Sequence, residues 1–67
     1  MTPMISLLTR RIRGEFNEVP GLQLTVAEGV RFWSVDAETC AEILDQLRQT
    51  GFLVRTADGR YRRAPTT

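Results

Sequence analysis

Two charged groups of opposite sign are the residues in this chain best suited to chemistry. Residues 36–50 carry four carboxylates and one arginine, for a net charge of −3, whereas residues 51–67 carry four arginines and one aspartate, for +3. All nine basic residues of the chain are arginine, a bias that GC-rich codon usage also produces. Arginine binds phosphate and carboxylate groups through paired N–H donors, whereas clustered carboxylates repel a phosphate backbone. The two groups therefore favour partners of opposite charge.

The residues that most enzymes and metal sites require are missing from the sequence. The chain has no histidine and a single cysteine, Cys40. It therefore has no internal disulfide, no zinc site and no thiol–imidazole pair. The sequence also contains no glycine-rich phosphate loop and no paired catalytic carboxylates. We expect no enzyme activity, no metal, no cofactor and no small-molecule ligand.

The length of 67 residues predicts a single domain, residues 1–67. Such a domain buries only about 60% of its unfolded surface, so helix packing or self-association must stabilise it. No apolar run approaches the roughly 18 residues of a membrane helix. In the N-terminal segment the arginines follow the apolar residues, which is the reverse of the order in a signal peptide. Together with the unpaired cysteine, these features predict a cytoplasmic protein that does not contact a membrane.

The first predicted element is a helix over residues 4–18. Its apolar residues recur at steps of three and four and so share one face: Ile5, Leu8, Ile12 and Phe16. Pro20 and Gly21 end the helix. Gly14 within it costs up to about 1 kcal/mol relative to alanine, and a close helix crossing at Gly14 would explain its presence.

Two further helices are marked by their ends. Thr25 and Glu28 form an S/T-x-x-E capping box, which predicts a helix over residues 25–33. Asp36 is a favourable N-cap for a helix over residues 36–50, and Gly51 suits the left-handed position that follows a helix. On the third helix, Cys40, Ile43, Leu44 and Leu47 form the predicted buried face.

A hairpin is predicted over residues 52–63, where two β-prone runs flank Asp58-Gly59, the signal for a type I′ turn. Residues 22–25 could add a third short strand. Trp33, Cys40 and Tyr61 are expected in the core. The predicted fold class is α+β and mainly α, with three helices and a C-terminal β-hairpin, which is the winged helix-turn-helix arrangement.

Residues 24–61 resemble the winged helix-turn-helix of bacterial transcription regulators of the multiple-antibiotic-resistance-regulator type. The matching positions are Leu24-Thr25, the turn ending at Val35, Thr39, the pair Leu44-x-x-Leu47, Gly51 and the Asp58-Gly59 wing. The whole chain is also similar to small stand-alone winged-helix proteins of bacteria. The resemblance implies a small DNA-binding transcription regulator, and because a monomer of this size would bind weakly, we expect a dimer.

The chain departs from that family at two places. Ser34 stands where the family usually has glycine, and serine tolerates a turn. At the start of the third helix, the family has serine, arginine, glutamine or asparagine, whereas the exposed residues here are acidic or alanine. Such residues cannot form the bidentate arginine–guanine or glutamine–adenine pairs that read bases, although Glu38 or Glu42 could accept a hydrogen bond from cytosine N4.

Under the DNA-binding interpretation, wing arginines supply phosphate contacts, backbone N–H groups near Thr25 meet a phosphate, and the third helix contributes limited base reading. The expected DNA-binding residues are Thr25, Glu38, Thr39, Glu42, Arg55, Arg60, Arg62 and Arg63. On the first helix, Arg10, Arg11 and Arg13 could reach a flanking phosphate strand.

The alternative function is a protein-interaction module that uses the acidic face of the third helix. Its expected interface residues are Glu38, Glu42, Asp45 and Gln49. The partner would be a basic protein surface or the arginine-rich wing of a second copy. Asp45 is expected to pair with Arg48 at the i,i+3 spacing. An ordinary solvated helix face remains a third interpretation of the same residues.

Overall fold

The computed structural model describes residues 3–65 as three helices and three short strands. The elements are α1 (Pro3–Glu18), β1 (Gln23–Leu24), α2 (Val26–Trp33), α3 (Ala37–Gln49), β2 (Leu53–Arg55) and β3 (Tyr61–Arg63). The strands form one antiparallel sheet in the order β1-β3-β2. This confirms the predicted α+β, mainly helical fold and the third strand, and the layout is compatible with a winged helix.

Both predicted helix starts are confirmed by hydrogen bonds to side chains. The backbone N–H of Glu28 donates to Thr25 Oγ1 at 3.2 Å, and the Thr25 N–H donates to Glu28 Oε1 at 2.9 Å. At the start of α3, the Thr39 N–H donates to Asp36 Oδ2 at 3.0 Å. These contacts satisfy N–H groups that have no partner inside the helix, so they fix where α2 and α3 begin.

The helix ends use left-handed residues. Ser34 ends α2 with φ 55° and ψ 46°, and it is the only described non-glycine residue with positive φ. At the end of α3, the Gly51 N–H donates to the Arg48 carbonyl at 3.0 Å and the Phe52 N–H donates to the Leu47 carbonyl at 3.1 Å. This pair of bonds is the Schellman motif predicted at Gly51.

One core lies between the helices and the inner face of the sheet. Its buried residues are Ile12, Phe16, Leu24, Trp33, Cys40, Ile43, Leu44, Leu47, Leu53 and Tyr61. The rings of Phe16 and Trp33 are 6.2 Å apart at their centroids, which joins α1 to α2. The predicted apolar face of α1 is buried at Ile12 and Phe16, whereas the side chain of Ile5 lies outside the described part of the chain. Within residues 3–65, no helix is sufficiently long and apolar to span a membrane.

A close helix crossing does not explain Gly14, and the close crossing lies at Gly29 instead. An added Cβ at Gly14 would meet no atom within 4 Å. At Gly29 it would lie 2.7 Å from Cys40 Sγ and 2.9 Å from a ring carbon of Trp33. Gly29 is therefore the position at which α2 and α3 pack closely enough to exclude a side chain.

The hairpin is confirmed, but its expected type I′ turn is wrong. A type I′ turn needs positive φ at both central residues; here Gly59 has φ 85°, whereas Asp58 does not have positive φ. The Gly59 N–H donates to the Thr56 carbonyl at 3.0 Å, and the Thr56 N–H donates to the Arg60 carbonyl at 2.8 Å. This is the three-residue hairpin loop in which a type I turn is followed by a left-handed glycine bulge.

Candidate nucleic-acid interface

The third helix presents one continuous polar face, which we call the acidic stripe: Glu38, Glu42, Asp45 and Gln49. The spacing of three and four residues aligns these side chains along α3. In the C-terminal half of the stripe, Asp45 already accepts hydrogen bonds from neighbouring side chains. Arg48 donates to Asp45 Oδ1 from Nη2 at 2.6 Å and from Nε at 3.0 Å, and Gln49 Nε2 donates to Asp45 Oδ2 at 2.7 Å. These hydrogen bonds lower the pKa of Asp45, and the bond from Arg48 has the largest effect.

The N-terminal half of the acidic stripe is different. Glu38 and Glu42 are exposed, and neither forms an ion pair with the described residues 3–65. Thr39, a predicted base-reading residue, is half-buried beside them. Asp36 is occupied as the N-cap, and the Thr39 N–H bond lowers its pKa. The two glutamates are therefore the carboxylates of this helix that remain available to a partner.

The four expected wing arginines do not form one surface. Opposed residues of an antiparallel pair share a face, and Arg63 lies opposite the buried Leu53, while Arg55 lies opposite the buried Tyr61. Arg62 pairs with Val54 and with Gln23, so it points to the other face of the sheet. The pleat of β3 thus separates Arg62 from its neighbour Arg63.

Arg60 lies at the hairpin loop, next to the start of α2. Its Nη1 is 3.4 Å from Glu28 Oε1, and its Nε is 3.2 Å from Asp58 Oδ2. Two predicted residues, Thr25 and Arg60, are therefore close, but Glu28 lies between them. Its carboxylate already accepts the Thr25 N–H, which, with the nearby Arg60 charge, lowers the pKa of Glu28. The helix end expected to bind a phosphate is occupied by this carboxylate.

A groove of about 760 Å³ runs between α3 and the hairpin. We call it the wing groove, and its charged lining residues are Arg48, Arg55 and Asp45. Arg55 was expected from the sequence. Arg48 was recognised only as the partner of Asp45, because nothing in the sequence shows that the end of α3 faces β2. Buried Tyr61 contributes to the lining of this groove.

A second basic region lies between α1 and the base of the hairpin. The guanidinium carbons of Arg13 and Arg63 lie 4.9 Å and 5.0 Å from the centroid of the Phe52 ring. Arg63 Nη1 also donates to Asn17 Oδ1 at 2.7 Å. Arg10, Arg13 and Phe52 line a groove of about 540 Å³ together with residues of α3. We call Arg10, Arg13, Phe52 and Arg63 the α1 surface.

Comparison with family models, with curated proteins and with solved structures gives no match to this chain. The described residues contain no group of three or more histidine, cysteine, aspartate or glutamate side chains placed to hold a metal ion. The candidate site therefore rests on the charged surfaces and grooves of the molecule itself.

Proposed function

We propose that the protein binds double-stranded DNA through its phosphate backbone, as a small cytoplasmic transcription regulator of the winged-helix kind. The observation that carries this proposal is the wing groove, where Arg48 and Arg55 line one concave surface beside α3. Arg55 forms no ion pair among the described residues, so its guanidinium can donate two N–H groups to a phosphate. Arg48 already donates from Nε and Nη2 to Asp45, so its remaining N–H groups are those that can reach a phosphate. Most of the affinity of proteins for DNA without sequence preference comes from such contacts.

The acidic stripe restricts how DNA is held. Arg48 lies six residues beyond Glu42, and a helix rises 1.5 Å per residue, which separates them by about 9 Å along α3. A phosphate in the wing groove therefore lies near the C-terminal half of the helix, away from Glu38 and Glu42. Base reading by these glutamates is limited to cytosine N4. We infer binding with low sequence preference.

The test is the affinity for a random-sequence duplex, measured by fluorescence anisotropy at two salt concentrations. Wild-type binding should weaken as salt rises, because counterions compete for the phosphates. Arg48→Ala with Arg55→Ala should weaken binding strongly. The matched control is Arg11→Ala with Arg31→Ala, which removes the same charge from exposed positions on α1 and α2. Absence of wild-type binding at low salt and tens of micromolar protein would refute the proposal.

A second candidate function is protein binding through the acidic stripe. The specific observation in its favour is that Glu38 and Glu42 are exposed and have no ion-pair partner among the described residues. Asp45 and Gln49 contribute less, because they are bonded to each other. A basic protein or a second copy would fit this surface. If Glu38→Lys with Glu42→Lys changes no association in a pull-down or in sedimentation, this candidate is excluded.

A further inference from the structure

We propose that the DNA backbone continues from the wing groove, past the C-terminal end of α3, onto the α1 surface. Arg10, Arg13 and Arg63 would then contact further phosphates of the same duplex. This inference rests on the proposed DNA binding and names where the additional contacts lie. It also predicts a path for the DNA that avoids Glu38 and Glu42.

The two arginines nearest Phe52 are already held in place. Both guanidinium groups lie over the same ring, so they are within about 10 Å of each other. The bond from Arg63 to Asn17 restrains one of them further. Long side chains lose conformational freedom when they bind, and stacking on a ring reduces that loss in advance. Arg13 and Arg63 remain exposed, so their outer N–H groups are accessible.

The wing groove and the groove of the α1 surface are continuous. Gly51 lines both the wing groove and the groove of the α1 surface, so the two meet at the end of α3. Among the described residues that line the groove of the α1 surface, none is acidic. Arg55 and Arg48 lie on one side of Gly51 and Arg13 and Arg10 on the other, and they form a path around this helix end that is basic overall, since its one acidic lining residue, Asp45, is paired with Arg48.

Two negative charges oppose this path: the carboxylate of Asp45, which is paired with Arg48, and the C-terminal end of α3. The C-terminal end of a helix carries a partial negative charge, worth about 0.5 of an elementary charge, from carbonyls without helical partners. In α3, the carbonyl groups of Leu47 and Arg48 accept hydrogen bonds from the backbone N–H groups of Phe52 and Gly51, respectively. The full positive charges of the arginines on both sides exceed this partial charge.

The structure also distinguishes among the three arginines of α1. Successive residues of an α-helix are about 100° apart, so Arg11 lies about 200° from Arg13 and on a different side of α1. Arg10 and Arg13 line the groove, whereas Arg11 does not. Arg11 is therefore the natural control residue on the same helix.

Salt dependence measures the number of phosphates contacted. The logarithm of the binding constant falls with the logarithm of salt concentration, with a slope of about −0.9 for each phosphate neutralised on duplex DNA. Arg10→Ala with Arg13→Ala should therefore make the slope shallower by about 2. Arg10→Lys with Arg13→Lys should preserve the slope, because the charge remains. The control Arg11→Ala with Arg31→Ala should keep the wild-type slope.

The experiment titrates the full chain into a random-sequence duplex at several salt concentrations, with thermal unfolding to check that each variant is folded. Arg10→Ala alone, which leaves both stacked arginines in place, should change the slope by about 1. A polyglutamate peptide serves as a second ligand, because arginines also bind carboxylates.

A shallower slope in the alanine variants, with the controls unchanged, supports the path over the α1 surface. If the wild type binds DNA and needs Arg48 and Arg55, but the α1 variants retain its slope, the path is wrong while the proposed function stands. The path is also wrong if the alanine variants lose binding of polyglutamate but bind DNA with the wild-type affinity and slope. If the wild type binds no DNA, the proposed function itself fails.

Discussion

Replacing Gly29 with alanine gives the most direct test of how α2 and α3 pack. In an isolated helix this change would be favourable by about 0.8–1.0 kcal/mol, because alanine is the better helix former. In this protein the new Cβ would lie 2.7 Å from Cys40 Sγ and 2.9 Å from a ring carbon of Trp33. Carbon atoms in good contact are about 3.5–4.0 Å apart. One of the buried groups must therefore move by nearly 1 Å.

Forcing an extra carbon into a packed core costs about 1–3 kcal/mol. Cys40 and Trp33 are both buried, so neither can turn into solvent to relieve the contact. Subtracting the gain in helix propensity leaves a net destabilisation of about 0–2 kcal/mol for Gly29→Ala. For a domain of this size, each kcal/mol corresponds to a fall in Tm of about 4–8 °C.

Gly14→Ala is the matched control, since Gly14 is also within a helix but its added Cβ would meet nothing within 4 Å. It should stabilise the protein by about 0.5–1 kcal/mol. The assay is urea unfolding of both variants followed by Trp33 fluorescence. The double variant Gly29→Ala with Cys40→Ala should recover part of the loss, because the contact with sulfur disappears. If Gly29→Ala stabilises the protein as much as Gly14→Ala does, the close packing described for this crossing is wrong.

Three further predictions concern the helix ends. Ser34→Gly should raise the free energy of unfolding by up to about 1 kcal/mol in urea unfolding, because left-handed φ is unfavourable for serine; a decrease would contradict this. Thr25→Ala should lower the free energy of unfolding by about 1 kcal/mol through loss of the capping box, whereas Thr25→Ser should retain most of the stabilisation that the capping box supplies. The N-cap hydrogen bond lowers the pKa of Asp36 below its ordinary value of 3.8. The stabilisation that the Asp36 carboxylate supplies is therefore complete above pH 3.8 and is lost as the pH falls through the lower pKa of the folded state. Asp36→Asn should make the free energy of unfolding less dependent on pH in this acid range, and an unchanged pH profile would refute the role of Asp36 as a charged N-cap.

The helix ends and the apolar faces could be predicted from the sequence because they depend on neighbours within one turn. The capping box at Thr25 and the Schellman end at Gly51 involve residues three to five positions apart. A residue type at such a spacing is enough to identify the hydrogen bond. The same is true of the pairing of Asp45 with Arg48.

The surfaces could not be predicted in this way. The sequence placed Arg60, Arg62 and Arg63 together on a basic wing, but the pleat of β3 and the ion pair with Glu28 separate them. Arg13 and Arg63 are 50 positions apart in the chain and share the Phe52 ring only because α1 packs beside the hairpin.

The sequence by itself determined the fold class, the start of α2, the end of α3 and the charge of each segment, because these follow from local spacing and composition. Only the tertiary structure decided that Gly29, not Gly14, lies at the helix crossing. It also decided that Arg48 faces the same groove as Arg55. These features depend on distances between segments far apart in the chain, and such distances are set by how the whole core packs.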